Sequence, residues 1–337
     1  MSYADRVFKD MCKDILENGT DTTGEEVRPI WTDTNEKAYT IKKFGVVNRY
    51  DLRKEFPALT LRKTGIKSAY DEILWIFQRK SNNIKDLKPN IWDEWANKNG
   101  SIGKAYGYQV GKLFIVDTIR CDKLTSMNYG ERIRYIKSNS FLEELPEKLR
   151  EKVLRYNEYK SCKFAVHPKN TTISVEMDQM DFLLYSLKYQ PYSRRHIISL
   201  WNVHELHCMN LNPCCWSCNF VVTNENDKLT LNLVLNQRSN DVLVANNWNV
   251  CQYALLLKMV AQVNNMVAGE LVHIIADAHI YDRHIPMIKE LLDRKEFDAP
   301  IVSLDPNVTD FYDFNYDSLR ILDYQYGPQI EDIPIAV

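Results

Sequence analysis

A cluster of thiol and imidazole side chains between residues 204 and 218 is the first feature of the sequence that could do chemistry. Its members are His204, His207, Cys208, Cys214, Cys215 and Cys218. The His-x-x-His and Cys-x-x-Cys spacings are compatible with a zinc site. The residues after Cys215, however, have the composition of a strand, on which Cys215 and Cys218 would point to opposite faces. We therefore expect no metal, and expect most of these cysteines to be small, buried, apolar side chains.

Cys214 differs from the other cysteines in its neighbours along the chain. Pro213 precedes it, the pair Arg194 and Arg195 lies upstream, and Arg238 lies downstream. A cysteine attacks as the thiolate, and nearby positive charge lowers the pKa of a thiol. Distance along the sequence does not bring the arginines to the sulfur, so two interpretations stay open: a catalytic nucleophile or another buried cysteine.

Polar residues at the ends of predicted strands could bind a ligand. Arg238 and Ser239 follow an alternating strand, where a guanidinium and a hydroxyl would suit a phosphate. His279 and Tyr281 are two residues apart, so on a strand they would face the same way and could hold one hydroxyl. Asn249 could pair with the edge of a base. Each pattern is also common in turns or in cores, and the sequence alone does not choose between these alternatives.

The elements that must position these residues follow from hydrophobic periodicity. Helices are predicted over 3–18, 68–80, 145–156, 250–266 and 285–294, and strands over 196–201, 220–222, 229–235 and 271–275. Residues 21–55 are predicted to form loops with short strands. Glu72 precedes an apolar run of its helix and is either exposed or a partly buried acid with a raised pKa. Because strands and helices do not alternate regularly, the pattern favours an α+β fold.

Composition and charge narrow the class of protein. The 337 residues carry a formal net charge of −2, which gives no general attraction to nucleic acid or to an anionic membrane. We find neither the apolar core of a signal peptide nor a run of about 18 apolar residues that could span a bilayer. The eight cysteines do not have the spacing of a secreted disulfide framework. We predict a cytoplasmic location.

Ordered motifs along most of the chain resemble the thymidylate synthase family. They are Phe-Pro-Ala-Leu-Thr (56–60), Glu-Ile-Leu-Trp (72–75), Ile-Trp-Asp-Glu-Trp (91–95), Ala-Tyr-Gly-Tyr-Gln (105–109), Ser-Arg-Arg (193–195), Trp-Asn (201–202), Pro-Cys (213–214), Gln-Arg-Ser-Asn-Asp (237–241), Asn249, Asp-Ala-His-Ile-Tyr (277–281) and a C-terminal Ala-Val. The charged region 111–175 has no such motif and is predicted to be a peripheral insertion in a single catalytic domain spanning 1–337.

The resemblance implies a fold, a reaction and an assembly. The fold would be α+β, built around a bent mixed sheet, in a homodimer whose subunits pack through their sheets. The reaction would be the reductive methylation of dUMP to dTMP, with 5,10-methylenetetrahydrofolate as both carbon donor and reductant and with dihydrofolate as the second product. No metal is implied.

The resemblance also implies roles for single residues. Cys214 would attack C6 of dUMP, while Glu72 and Tyr106 would organise proton transfers. Asn249 would pair with the uracil edge. The phosphate ligands implied are Arg28, Arg238 and Ser239 of the same subunit, with Arg194 and Arg195 of the partner. His279 and Tyr281 would hold the deoxyribose 3′-hydroxyl. The residues implied for the folate side are Trp92, Trp95, Val337 and Asp241, the last also with a catalytic role.

Several positions depart from the family pattern. Cys215 stands where histidine is usual, and Asn219 where glutamine is usual. The family's Leu-Gly-x-Pro-Phe-Asn loop is Val-Ala-Asn-Asn-Trp-Asn at 244–249, and the first loop, around Arg28, lacks the usual Arg-Thr-Gly. These changes lie on the folate side, so a dUMP hydroxymethylase is the nearest alternative. A zinc module and a binder of the protein's own messenger RNA are more distant alternatives.

Overall fold

The computed structural model describes residues 1–168, 170–225 and 227–337. The helices are α1 (Tyr3–Asn18), α2 (Ile66–Ile73), α3 (Gly107–Gly111), α4 (Tyr129–Ile136), α5 (Asn139–Glu144), α6 (Glu147–Asn157), α7 (Gln179–Tyr189), α8 (Asn246–Val263) and α9 (Ile285–Asp293). The strands are β1 (Thr20–Asp21), β2 (Thr40–Asp51), β3 (Phe114–Arg120), β4 (Lys163–Val166), β5 (Thr172–Met177), β6 (Ile197–Ser199), β7 (Cys215–Glu225), β8 (Lys228–Gln237), β9 (Asn240–Asp241), β10 (Val267–Tyr281), β11 (Ile301–Leu304) and β12 (Leu319–Leu322).

A mixed sheet forms the centre of the fold. Within the described residues it has seven strands in the order β1-β2-β10-β8-β7-β6, with β9 also paired to β10. Strand β10 runs antiparallel to β2 and parallel to both β8 and β9. The predicted α+β fold around a mixed sheet is confirmed. Because β7, β8, β9 and β10 are neighbours, the residues at their ends lie close together.

The buried core lies between this sheet and helix α8. Leu231, Leu233 and Leu235 alternate on β8 and are fully buried, as the period of two predicted. Helix α8 is buried on most sides, but it begins at Asn246 and ends at Val263, earlier at both ends than predicted. Asn247, in its first turn, is buried and structural: its Oδ1 accepts a hydrogen bond from the Leu59 amide at 2.9 Å.

Two predictions about the N-terminal third are wrong in detail. Residues 21–55 contain a long strand, β2, whose weak alternation of buried and exposed positions hid it from the sequence pattern. Pairing with β10 along nearly its whole length supplies its backbone partners. The helix predicted over 68–80 begins at Ile66 and continues from α2 as a π-helical turn over Leu74–Gln78. Glu72 lies on α2, just before that turn.

Region 111–175 forms a small sheet with its own apolar cluster. Strands β3, β5 and β4 pair antiparallel in that order, and helices α4 to α6 lie between β3 and β4 in the chain. Ile119, Val153, Ile173 and Val175 are buried in a cluster separate from the main core. The helix predicted over 145–156 is confirmed as α6, whereas these strands were not predicted because charged residues interrupt them. That the region is a peripheral insertion stays a prediction.

Candidate active site

Cys214 lies at the entrance to β7, next to the end of β8. Its carbonyl oxygen accepts a hydrogen bond from the Arg238 amide at 2.9 Å, which ties the start of one strand to the end of the other. The Arg238 Nη2 atom lies 3.7 Å from Cys214 Sγ. Burial raises the pKa of the Cys214 thiol, and the positive charges of Arg238 and Arg28 oppose that increase. Cys214 therefore combines partial burial with the cationic neighbours that a nucleophilic thiolate needs.

Arg238 is held in place by the chain segment before Cys214. Its Nε donates to the Pro213 carbonyl at 3.0 Å, and its Nη2 donates to the Asn212 carbonyl at 2.8 Å. These contacts leave part of the guanidinium free for another acceptor, because Arg carries five N–H groups. Ser239 follows at the end of β8, where Gln237 Nε2 donates to its carbonyl at 2.9 Å. The strand end thus carries a guanidinium and a hydroxyl on consecutive residues.

Tyr106 reaches Cys214 from the other side. Its phenolic oxygen accepts a hydrogen bond from the Cys214 amide at 3.2 Å, and its ring packs edge-on against Trp92. Tyr106 has a backbone φ of 45°, in the region that L-residues other than glycine rarely adopt. Such backbone strain persists only where the surroundings enforce it, and it is frequent at functional sites. The structure brings Tyr106 and Cys214 together, as the resemblance implied.

Glu72 is a buried acid whose two oxygens are both occupied. Trp92 Nε1 donates to Oε1 at 2.9 Å, and Trp248 Nε1 donates to Oε2 at 2.7 Å. Burial raises the pKa of the Glu72 carboxyl, and the hydrogen bonds from Trp248, Trp92 and Gln252 oppose the increase. Of the two alternatives that the sequence left open, the structure selects the buried acid with a raised pKa.

Asn249 lies in the first turn of α8, inside a chain of amide groups. Its Oδ1 accepts from Gln237 Nε2 at 3.0 Å, and its Nδ2 donates to Gln252 Oε1 at 2.9 Å. Gln237 in turn is held by buried His273, whose Nε2 lies 2.7 Å from Gln237 Oε1. The orientation of the Asn249 amide is therefore set by its neighbours, which leaves one donor and one acceptor position open for a ligand.

His279 and Tyr281 lie two residues apart on β10, as predicted, and their rings meet edge-on at 5.1 Å. His279 Nδ1 lies 2.7 Å from Asp277 Oδ1, so an acidic neighbour orients the imidazole. Burial raises the pKa of Tyr281 to about 12, with Asp241 adding to the increase and Arg28 opposing it. Asp241 lies on β9 beside His279, where its Oδ1 accepts from the Leu243 amide at 3.0 Å.

The other predicted ligands differ in how near they lie to Cys214. Arg28 is exposed, yet it is close enough to Cys214 and Tyr281 for its charge to act on both. Arg194 and Arg195 are exposed on the loop between α7 and β6. Their predicted role in the partner's site stays a prediction. Val337 pairs with Ile30 through two backbone hydrogen bonds of 2.9 and 3.0 Å, which places the C-terminus beside the segment that carries Arg28.

The prediction that Cys215 and Cys218 point to opposite faces is wrong. A break in register between Cys215 and Ser217 interrupts the alternation of β7, and both cysteines are buried in the main core. Within the described residues, no group of three or more His, Cys, Asp or Glu side chains is arranged to hold a metal ion. Burial raises the pKa of Cys215 well above its ordinary value, so it is a neutral thiol at physiological pH.

Trp248 and Gln252 are functional candidates that the sequence did not reveal. Both lie on α8 and both contact the carboxyl group of Glu72. The spacing of Trp248, Asn249 and Gln252 could have indicated their association, because residues three or four apart lie on one face of a helix. Without the position of α2, that spacing did not identify Glu72 as their partner.

Comparisons with known proteins agree along the whole chain. The family described as thymidylate synthase matches residues 6–337. Thymidylate synthase 1 of Bacillus subtilis (strain 168) is 34% identical over 333 residues, and the match covers 98% of both chains. The thymidylate synthase of Bacillus phage phi3T is 33% identical with the same coverage. The solved structure of thermostable thymidylate synthase A from Bacillus subtilis has a TM-score of 0.77 and 33% identity over 100% of each chain.

The fold and these matches define the chain as a methyltransferase enzyme. The chain belongs to the thymidylate synthase family. The resemblance proposed from the motifs is confirmed.

Proposed function

We propose that this enzyme converts dUMP to dTMP by reductive methylation, with 5,10-methylenetetrahydrofolate as co-substrate and dihydrofolate as the second product. The observation that carries the proposal is the position of Cys214, whose thiol faces the Arg238 guanidinium and whose amide is bound by Tyr106. A thiol, a cation and a phenol at one point suit covalent attack on an electron-poor ring followed by proton transfer. The names of the relatives favour methylation over hydroxymethylation.

Cys214 would begin the reaction as a thiolate. Its sulfur attacks C6 of the uracil ring, which breaks the conjugation of the ring and turns C5 into an enolate-like carbon. Arg238 stabilises the thiolate before attack and holds the dUMP phosphate together with Arg28 and Ser239. Burial raises the pKa of the Cys214 thiol and so favours its protonated form, while the charges of Arg238 and Arg28 oppose that effect. The attack therefore depends on the positive charge close to Cys214.

Asn249 would select uracil. Its fixed amide offers a donor to O4 and an acceptor to N3–H, with the opposite orientation blocked by Gln237 and Gln252. His279 and Tyr281 would bind the 3′-hydroxyl from β10. Buried polar groups that find a partner only in the correct substrate discriminate strongly against the wrong one.

The folate would lie against the aromatic side of the site. The rings of Trp92 and Trp95 meet at 5.6 Å, and Trp95 is half-buried, which suits contact with a planar heterocycle. Asp241 and Val337 would complete that side. Methylenetetrahydrofolate supplies the one-carbon unit and the hydride when it is bound. Glu72 and Tyr106 would hold and pass the protons at the uracil ring.

A homodimer in the cytoplasm is the proposed form of the enzyme. Strands of the central sheet expose large apolar side chains, including Phe44, Ile197, Trp216 and Val221, and Phe44 is 90% exposed. Large apolar side chains exposed on a sheet are typical of a contact between subunits. Arg194 and Arg195 would reach the phosphate of the partner's dUMP. No helix among the described residues is long and apolar enough to cross a membrane.

Product analysis tests the proposal. The enzyme is incubated with dUMP and 5,10-methylenetetrahydrofolate, and the nucleotide and folate products are identified by mass. dTMP with dihydrofolate supports reductive methylation, whereas hydroxymethyl-dUMP with tetrahydrofolate supports the hydroxymethylase alternative. Absence of both products would favour a binding protein, such as the proposed regulator of its own messenger RNA.

A further inference from the structure

The carboxyl group of Glu72 is clamped between two indole N–H groups from different parts of the chain. Trp92 precedes a short helical turn over Asp93–Trp95, which is far from α8 along the chain, whereas Trp248 lies on α8 itself. The first donates to Oε1 at 2.9 Å and the second to Oε2 at 2.7 Å. Each carboxylate oxygen therefore has its own neutral donor.

The packing of α2 against α8 fixes the position of the Trp248 ring. A Cβ atom added at Gly65, just before α2, would lie 3.0 Å from Trp248 Cζ3. The indole thus packs directly on backbone that has no side chain in the way. Gln252, one helical turn further along α8, also contacts Glu72. Trp248 and Gln252 present their polar groups to Glu72 from the same helix face, next to Asn249.

The ionisable groups around Glu72 do not favour its ionised form, so the hydrogen-bond donors must do so. The titratable neighbours are Asp71 on α2, Tyr106 before α3, Cys215 on β7 and Tyr253 on α8. Each is either negative or neutral, so each disfavours the ionised form of Glu72 or leaves it unaffected. Hydrogen bonds to the charged form are therefore the main interactions that support ionisation in this buried position.

We propose that Trp248 is a positioning residue for Glu72: its indole N–H fixes one oxygen of the carboxylate and supports the ionised form during proton transfer. The inference rests on the proposed function and deepens it. Trp248 can fix the carboxylate because its indole carries an N–H donor. A phenylalanine at this position would keep an aromatic ring but offer no donor. In this chain, the base-reading residue Asn249 and the support of the catalytic carboxylate are consecutive on α8.

The substitution Trp248→Phe tests the proposal because it removes the N–H and keeps an aromatic ring. Fluorescence is recorded against pH in the free enzyme, where Trp92 still reports the ionisation of Glu72 through its own hydrogen bond. We expect the midpoint of that titration to lie about one pH unit higher in Trp248→Phe than in the unmodified enzyme. Glu72→Gln should remove the transition, and Tyr129→Phe, at an exposed position on α4 outside the site, should leave the midpoint unchanged.

Kinetics provide a second readout. In Trp248→Phe, kcat for dTMP formation should fall about tenfold, while KM for dUMP changes by less than about twofold, and the acidic limb of the pH profile should move upward with the fluorescence midpoint. If Trp248→Phe does not fold, Gly65→Ala decides the matter. Its methyl group would lie 3.0 Å from Trp248 Cζ3, so we expect it to displace the indole, to weaken the hydrogen bond to Glu72 and to raise the midpoint in the same direction.

An unchanged midpoint in the folded variant would overturn the proposal. The titration needs no turnover, so it separates the two hypotheses. If the unmodified enzyme makes no dTMP, the proposed function fails, while the fluorescence result still decides whether Trp248 supports the ionised form of Glu72.

Discussion

The amide of Cys214 donates a hydrogen bond to the phenolic oxygen of Tyr106 at 3.2 Å, and Tyr106 reaches this position with a backbone φ of 45°. The strained residue and the proposed nucleophile are thus directly connected. The hydrogen bond sets the position of the backbone that carries the sulfur. A substitution of Tyr106 should therefore lower kcat more than it changes KM for dUMP.

Tyr106→Phe should lower kcat about ten- to a hundredfold with little change in the fold. The substitution leaves the Cys214 amide without its acceptor and removes a proton-transfer group, and each such loss costs about 1–3 kcal/mol. Steady-state rates of dTMP formation measure the effect. Tyr108→Phe, two residues away on α3, is the matched control and should keep nearly full activity. Equal rates in both variants would contradict the role of Tyr106.

Cys214→Ser should abolish turnover, whereas Cys215→Ala should leave a folded, active enzyme. The two cysteines are adjacent, but only Cys214 faces Arg238, while Cys215 is buried in the core and kept neutral. A mass shift of the enzyme on incubation with dUMP and the folate would report the covalent adduct. Turnover retained in Cys214→Ser, or equal loss in both variants, would rule out the assignment of the nucleophile.

Asn249→Asp should lower kcat/KM for dUMP about tenfold or more and raise the relative use of dCMP. Gln237 and Gln252 fix the orientation of the Asn249 amide, which would offer a donor to O4 of uracil, whereas an ionised carboxylate offers only acceptors. Opposing acceptors in a buried site cost about 1–3 kcal/mol. Rates with both nucleotides are measured for both proteins, and an unchanged dUMP/dCMP ratio would mean that Asn249 does not read the base.

A mixed dimer of Cys214→Ser and Arg195→Ala subunits should regain activity that neither parent dimer has. The physical reason is that one of its two sites would receive an intact Cys214 from one subunit and an intact Arg195 from the other. Co-expression with two different affinity tags isolates the mixed species, whose rate is compared with both parents. If the mixed dimer is as inactive as its parents, Arg195 does not act across the interface.

His273 should make the fold sensitive to mild acid. Burial lowers its pKa to about 3, and its Nδ1 has no hydrogen-bond partner within the described residues. In the unfolded chain the pKa is about 6.5, so the stabilisation is complete above that pH and is lost as the pH falls from about 6.5 towards 3. Between pH 7 and 5 the free energy of unfolding should fall by about 2 kcal/mol more than in His273→Gln. Urea unfolding at both pH values measures this difference, and equal losses would contradict it.

Much of the site was predictable because its residues stand in short ordered motifs at strand ends. Cys214, Arg238 and Tyr106 meet in the structure as the resemblance implied. The contact between Trp248 and Glu72 joins residues 176 positions apart and depends on how α2 packs on α8. Hydrophobic periodicity describes one helix or strand at a time and does not show how α2 packs on α8.

Local irregularities account for the other differences. The register break after Cys215 puts Cys215 and Cys218 on the same side of β7, against the simple alternation of a strand. Strand β2 was missed because few of its side chains are fully buried, and its partner strand lies more than two hundred residues away in the chain. Both features are set by pairing between distant strands rather than by local composition.

The pairing of β2 with β10 also has a kinetic consequence. Thr40 lies opposite Tyr281, so the chain between β2 and β10 must close into a long loop before these strands can pair, whereas β4 pairs with β5, the next strand along the chain. Contacts that close long loops form late and slow the overall rate of folding. Because His279 and Tyr281 lie on β10 and Arg28 precedes β2, we expect the proposed nucleotide site to form only when this slow, non-local step is complete.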